Sequence, residues 1–395
     1  MDKLLLSAEI QHFISKNIEV NVTNLALQKN NYSNQDWLKI LNQIAAKQKA
    51  KTKLPTWFAA DNIIYPSKIS VEQTSSEKTA EYKSQLVSGK KLIDLTGGFG
   101  VDNYYFSKKV NQVTHCEINP ELSEIVKHNF EQLKATTIKC FTGDSLGILA
   151  TLNQKFDWIY IDPSRRNDAK GKVFMLKDCL PNVPELLDTY FEYSSNIMIK
   201  TAPILDITAG LSELRNVIAI HIIAIENEVK ELLWILEKDT SKPLRIATVN
   251  FSKNKTEEFS FEMNNSELIS VFSLPKKYLY EPNAAIMKSG GFDVISSYFK
   301  IEKLHQHSHL YTSEYLIDFP GRVFEIKKSF NYSKKDMKKF LENKKANITT
   351  RNFPDSVEII RKKWKIADGG DLYCFFTTDA INNKIVLLCD KLKQL

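Results

Sequence analysis

No apolar stretch in this chain approaches the roughly 20 residues that a membrane-spanning helix needs. The longest, Val217 to Ile225, is interrupted by His221 and reads as a buried strand. The start, Met1-Asp2-Lys3-Leu4-Leu5-Leu6-Ser7, lacks the long apolar core and small-residue cleavage site of a secretory leader. Cysteines are few: Cys116, Cys140, Cys179, Cys374 and Cys389 are scattered without C-x-x-C spacing. A disulfide framework or cysteine zinc site is therefore not expected, and a reducing cytoplasm is the simplest location. His305, His307 and His309 would share one face of a strand, but they have no acidic or cysteine partner beside them, so no metal is expected. Internal repeats and low-complexity tracts are also missing. What remains, 395 residues with 43% hydrophobic content, is enough for two or three domains with filled cores.

The most informative segment is Leu92-Ile93-Asp94-Leu95-Thr96-Gly97-Gly98-Phe99-Gly100-Val101-Asp102, an apolar strand running into a glycine-dense turn and then an amphipathic helix. Such a turn lets backbone approach a ligand closely. A dinucleotide fingerprint needs a third glycine for helix-on-strand packing, and here that position is Asn103. Asp94 would repel a pyrophosphate but attract an ammonium, such as that of the amino-acid moiety of S-adenosylmethionine. A second strand, Gln112 to Ile118, carries Glu117 about 20 residues beyond the loop, where a carboxylate can accept hydrogen bonds from vicinal ribose hydroxyls. Asn119-Pro120 then opens a helix. A third strand, Thr137 to Thr142, leads to Gly143-Asp144-Ser145, whose polar side chains either meet an adenine or cap a helix. A fourth, Phe156 to Ile161, delivers Asp162-Pro163-Ser164-Arg165-Arg166 at its carboxyl end, where open α/β sheets bind ligands.

These four stations resemble motifs I to IV of class I S-adenosylmethionine-dependent methyltransferases. The run Glu72-Gln73 to Thr79-Ala80-x-Tyr82, the Asp162 to Arg166 segment and Lys200-Thr201-Ala202-Pro203 are similar to a bacterial family of these enzymes. Its members carry a ferredoxin-like insert and a C-terminal THUMP-like domain. Tyr278 to Pro282, Ser308 to Ser313 and Lys365 to Asp371 resemble that family's downstream signatures. The resemblance implies an α/β fold: a seven-stranded Rossmann-like sheet ending in an antiparallel hairpin, with an N-terminal helical region and small C-terminal α+β domains. Together with local pattern, which reads residues 1 to about 70 as mainly helical and puts a boundary near Leu274-Pro275, it gives a helical region at 1–70, the methyltransferase domain at 71–274, the ferredoxin-like domain at 275–320 and a basic THUMP-like domain at 321–395. It implies S-adenosylmethionine held by Gln73, Asp94, Thr96, Gly97, Gly98, Gly100, Glu117, Ile118, Asp144, Ser145 and Asp162, with Asp162 and Arg165 serving catalysis.

Local pattern supplies further expectations. Leu4, Leu5, Ile10, Phe13 and Ile14 fit one helix face, and Trp37, Leu38, Leu41 and Ile44 another. Thr74-Ser75-Ser76-Glu77 reads as a capping box opening a helix through Leu86. Cys179 to Tyr193 reads as a helix, and Asn196 to Lys200 as a fifth strand. Val217 to Ile225 and Lys230 to Leu236 should pair antiparallel across a short polar turn, and Phe251 to Phe272 continue as strand. Cys179, in a helix rather than after a strand, is an unfavourable nucleophile.

The +7 charge is uneven: about 17 Lys and Arg face about 9 Asp and Glu beyond residue 320. Lysine pairs from Lys327 to Lys345 and Arg361-Lys362-Lys363 alternate with Phe330, Tyr332, Phe340, Phe353 and Trp364. That composition suits an RNA surface with stacking aromatics, or equally a solvated lysine-rich face over an aromatic core. After Asp162-Pro163 the chain lacks the aromatic that exocyclic-nitrogen methyltransferases use to stack a base. Arg165 and Arg166 there either grip phosphate or base or form structural ion pairs, so the acceptor atom stays open. The favoured function is an RNA methyltransferase. The alternative is an RNA-binding protein with a degenerate, cofactor-binding methyltransferase domain.

Overall fold

The computed structural model describes residues 4–165, 175–253, 255–263 and 269–392. The chain divides into two compact units, Met1–Val217 with Trp234–Thr240, and Ile218–Leu233 with Ser241–Leu395.

The first unit begins with α1 (Ala8–Lys16), α2 (Val22–Ala26), α3 (Asn34–Lys53), α4 (Pro55–Ala59) and α5 (Lys68–Gln73). Ser7, Asn21 and Ser33 cap the first three by accepting from the amides of Ile10, Asn24 and Asp36. Leu5, Ile10, Ile14, Trp37, Leu41 and Ile44 close around a shared core with Ile40. Leu38, expected on that face, is 60% exposed; positions 37, 40, 41 and 44 follow the helical repeat and 38 does not. Helix α6 (Glu77–Gln85) is capped by Ser76, which accepts from the Thr79 amide, and not by the expected box from Thr74. Glu77 is instead tied to other elements: its carboxylate accepts from the Thr56 amide, the Thr56 hydroxyl and the Tyr105 hydroxyl at 2.6–2.7 Å.

The sheet of this unit follows: β1 (Lys91–Asp94), α7 (Val101–Phe106), β2 (Gln112–Glu117), α8 (Pro120–Gln132), β3 (Ile138–Thr142), α9 (Ser145–Leu152) and β4 (Trp158–Ile161). Two short strands, β5 (Ser164–Arg165) and β6 (Cys179–Leu180), pair antiparallel before α10 (Val183–Tyr193), β7 (Asn196–Thr201) and α11 (Ile207–Glu213). The helix expected from Cys179 therefore begins at Val183. Pro184 sits in its first turn, where a missing amide donor is harmless, and Cys179 and Leu180 form strand. The strands β8 (Val217–Ile225) and β9 (Glu228–Glu237) come next. Order in this unit is β9-β7-β4-β1-β2-β3, with Ile93 registered against both Thr114 and Ile159 in parallel pairings. Leu92, Ile93, Ile159, Ile161, Ile197 and Ile199 are fully buried, as strands covered on both faces require.

In the second unit the order β11-β10-β8-β9 adds β10 (Arg245–Phe251) and β11 (Thr256–Glu262). Glu226 and Asn227 both have positive φ, the geometry of a two-residue type I′ turn, so β8 and β9 form the expected antiparallel hairpin. The sheet goes beyond the expected seven strands because β10 runs parallel to β8 and β11 antiparallel to β10. The rest of the long strand expected to Phe272 is not β11: residues 264–268 lie outside the described residues.

A second sheet, in the order β13-β14-β12-β15-β18-β17-β16, completes this unit. Its elements are β12 (Tyr278–Pro282), α12 (Ala284–Ser289), α13 (Phe292–Phe299), β13 (Glu302–Lys303), β14 (Tyr311–Ser313), β15 (Gly321–Asn331), α14 (Lys334–Phe340), β16 (Lys345–Thr350), α15 (Val357–Trp364), β17 (Ala367–Thr378) and β18 (Lys384–Lys391). Antiparallel pairing of Leu279 with Phe324 makes β12 and β15 neighbours. Buried Glu281 of β12 joins them further by bonding the Arg322 guanidinium of β15, and it also holds that of Arg351, just after β16.

Candidate active site

At the carboxyl ends of β1 to β4 the first unit holds a cavity of about 660 Å³, within the usual range for small-molecule sites. Its first wall is the glycine turn. Asp94 ends β1 almost completely buried, with Oδ1 accepting from the Thr96 amide (2.8 Å) and hydroxyl (3.1 Å) and Oδ2 from the Asn103 side-chain amide (2.6 Å). Asn103, standing where a dinucleotide loop has its third glycine, thus serves the acid that such loops lack. Burial pushes the Asp94 carboxyl up to about 7 even though these hydrogen bonds favour its ionised form. The Thr96 hydroxyl also accepts from the Asp162 amide at 2.7 Å, fastening the turn to the end of β4. Gly98 and Gly100 have φ of +54° and +78°, and Gly100 is the N-cap position of α7.

Glu117 leaves β2 with each carboxylate oxygen holding one backbone donor, Gly98 on Oε2 at 3.0 Å and Asn119 on Oε1 at 2.8 Å. Each carboxylate oxygen has a second lone pair, so two vicinal hydroxyls still fit. Ile118 beside it is 73% exposed at the cavity edge. Asp144 caps α9 through the Gly147 amide and also lines the cavity with Ser145. Asp162, at the end of β4, pairs with the Lys200 ammonium from β7.

Gln73, Asp94, Thr96, Gly97, Gly98, Gly100, Glu117, Ile118, Asp144, Ser145 and Asp162 all line this one cavity. Arg165 lies in β5, where its backbone alone is described, and Arg166 falls outside the described residues. Sequence reasoning did not place Ser75, Asp102, Tyr160 and Lys200 here, yet all four line the same cavity. The Asp102 carboxylate bonds the Ser75 hydroxyl (2.9 Å), the Tyr160 hydroxyl (2.7 Å) and the fully buried Lys83 ammonium (3.1 Å). Burial alone would raise the Asp102 carboxyl, but Lys83, Lys200 and the Tyr160 hydroxyl outweigh it and hold it below the usual carboxylate range. The available signals were the position of Lys200 at a strand end, matching that of Asp162, and the two-residue spacing of Asp102 from Gly100.

In the second unit, packing decides between the two readings of the aromatics beyond residue 320. Trp364 is buried, and Phe330, Tyr332, Phe340 and Phe353 pack half-buried against the same core, so they form no stacking platform. Lys327, Lys328, Lys334, Lys335, Lys338, Lys339, Lys344 and Lys345 are exposed. Their charged heads sit outside an aromatic core, with Lys328 over the Phe340 ring at 3.9 Å. His305, His307 and His309 lie in a turn and share no strand face: His305 contacts Asn352 and Asn382, while His309 stacks on Phe292. No group of three metal-ligating side chains occurs among the described residues. No helix among them is long and apolar enough to cross a membrane.

Residues 278–320 match a ferredoxin-like domain family and residues 321–391 a THUMP-like domain family. No curated protein matches the chain. Among solved structures, a candidate methyltransferase from Porphyromonas gingivalis W83 is 30% identical, with TM-score 0.87 and 99% of each chain covered. An rRNA methylase from Streptococcus thermophilus is 12% identical over 41% of this chain and 94% of its own, with TM-score 0.30. A methyltransferase from Geobacter sulfurreducens is 14% identical over 41% and 78%, with TM-score 0.31. Whole-length likeness to the Porphyromonas protein, together with the two C-terminal domain matches, shows that the chain belongs to the bacterial class I S-adenosylmethionine-dependent methyltransferases that carry C-terminal ferredoxin-like and THUMP-like domains.

Proposed function

We propose that the chain binds S-adenosylmethionine in the β1 to β4 cavity and transfers its methyl group to RNA captured by the basic region beyond residue 320. The observation that carries this reading is the convergence of the glycine turn, Glu117, Asp144 and Asp162 on one cavity. The residues suit the cofactor. A Cβ on Gly98 would have nothing nearer than the Thr96 carbonyl at 3.7 Å, so backbone there is open to a ligand. Glu117 would hold the ribose hydroxyls, Asp94 the ammonium, and Asp144 with Ser145 the adenine; Gln73, Thr96, Gly97, Gly100 and Ile118 complete the walls.

When bound, the cofactor supplies a methyl group on a positively charged sulfur. The chain must then align the acceptor, keep water out and take up one proton. Asp162 would accept that proton; its side chain lines the cavity and is 37% exposed, which supports this role. Arg165 would steady substrate phosphate or base. The exposed lysines of β15, α14 and β16 fit an RNA backbone, and their binding should weaken with salt.

Incubation with methyl-labelled S-adenosylmethionine and total cellular RNA, followed by nucleotide mapping, tests the proposal. Label should appear at a defined nucleotide with the parent chain and be largely lost with Asp162→Asn. Cofactor binding without label transfer would instead support an RNA-binding protein with a degenerate methyltransferase domain.

A further inference from the structure

Beside Asp162 lies a set of four charges that compensate one another. Lys200 is carried on β7 next to β4, where Ile199 registers against Ile161, so its ammonium arrives beside the residue that follows Ile161. That ammonium bonds Asp162 Oδ2 and lies 3.3 Å from the Ser75 hydroxyl. Ser75 Oγ gives its one proton to Asp102 at 2.9 Å and accepts from Lys83 at 2.8 Å and from Lys200, which uses its donor and both lone pairs. Lys83, Asp102, Lys200 and Asp162 are thus two cations and two anions joined through one hydroxyl, with Tyr160 adding a hydrogen bond to Asp102.

Exposure grades across the set. The Lys83 side chain is 0% exposed, Asp102 10%, Lys200 11% and Asp162 37%. Asp162 is the most exposed of the three members that line the cavity, Asp102 and Lys200 are largely covered, and Lys83 is buried away from it. Buried ammoniums are costly unless paired and hydrogen-bonded; Lys83 has Asp102 as its partner and Lys200 has Asp162, so the pairing of the largely buried Lys200 restrains the Asp162 carboxylate. Resting on the methyltransferase reading of the cavity, we infer that Lys200 is a positioning residue that pins one oxygen of Asp162, itself braced by Ser75, and leaves the other oxygen to meet the methyl acceptor in a single orientation.

The test is a double-mutant cycle on label transfer to RNA, with cofactor affinity measured by calorimetry as the check on folding. Lys200→Met should lower kcat about a hundredfold, the scale of a roughly 1 Å misplacement, while cofactor Kd and RNA KM hold. Lys200→Arg should restore part of the loss. In an Asp162→Asn background Lys200→Met should lower kcat no further, because Lys200 acts through Asp162. Independent, multiplicative losses, or parental kcat in Lys200→Met, overturn the inference and leave the methyltransferase reading standing. A parent chain that transfers no methyl to RNA removes both. If Lys200→Met does not fold, Ser75→Ala takes its place in the cycle with the same expected pattern.

Discussion

Gly100→Ala is a stringent test of how the glycine turn is held. Gly100 has φ of +78°, and a Cβ built there would lie 2.5 Å from the Phe130 ring and 3.0 Å from Val126 Cγ1. Left-handed backbone costs a residue with a Cβ about 1–2 kcal/mol. The collision adds overpacking of roughly 1–3 kcal/mol, because Phe130 and Val126 are 4% and 0% exposed in a closed core with Trp57, Phe99 and Tyr105. The sum is about 2–5 kcal/mol, which should raise local opening by roughly thirtyfold or more. Native-state hydrogen exchange of the Tyr104 amide, bonded to the Gly100 carbonyl at 3.0 Å, reads it directly. Gly98→Ala is the control: it carries similar backbone strain at φ +54° but meets only the Thr96 carbonyl at 3.7 Å, so its effect on exchange should stay within the backbone cost of about 1–2 kcal/mol. A loss for Gly100→Ala no larger than that for Gly98→Ala would show that Phe130 yields freely and that the turn is not packed as described.

Glu117→Ala should weaken S-adenosylmethionine binding by about 1–3 kcal/mol, and an unchanged Kd by calorimetry in a folded variant would remove Glu117 from the ribose site. The Asp94 carboxyl, raised by burial to about 7, binds a proton more readily in the folded chain than in the unfolded one. Its contribution to stability is therefore fully present at acid pH, below the unfolded value of about 3.9, and is lost as pH rises through 7. An ammonium ligand needs the ionised form, so cofactor binding near pH 6 should release a proton and tighten toward neutrality, and Asp94→Asn should abolish both; buffer-independent binding heats at that pH would contradict this. Charge reversal of Lys338, Lys339, Lys344 and Lys345 should weaken RNA binding and flatten its salt dependence while cofactor affinity holds. Equal RNA affinity across a salt titration would make those lysines a solvated face only.

What the sequence determined by itself was local. The strand, glycine turn and helix from Leu92 to Phe106, the cavity-lining acid at Glu117, the Asn119 cap and the β8–β9 hairpin are each encoded within a short stretch, where spacing and residue type dictate backbone geometry. Tertiary structure decided what long-range neighbours alone can specify. Lys200 reaches Ser75 across 125 positions, a contact set by the register of β7 on β4 that no local pattern announces. Ser76 displaced Thr74 as the cap of α6, and Glu77 was drawn to Thr56 and Tyr105. The aromatics beyond residue 320 are spaced alike for a core or a surface, and the packing of α14 and α15 onto the second sheet turned them inward while the lysines stayed in water. Periodicity says which residues share a face; only the partner that covers the face says whether it is buried.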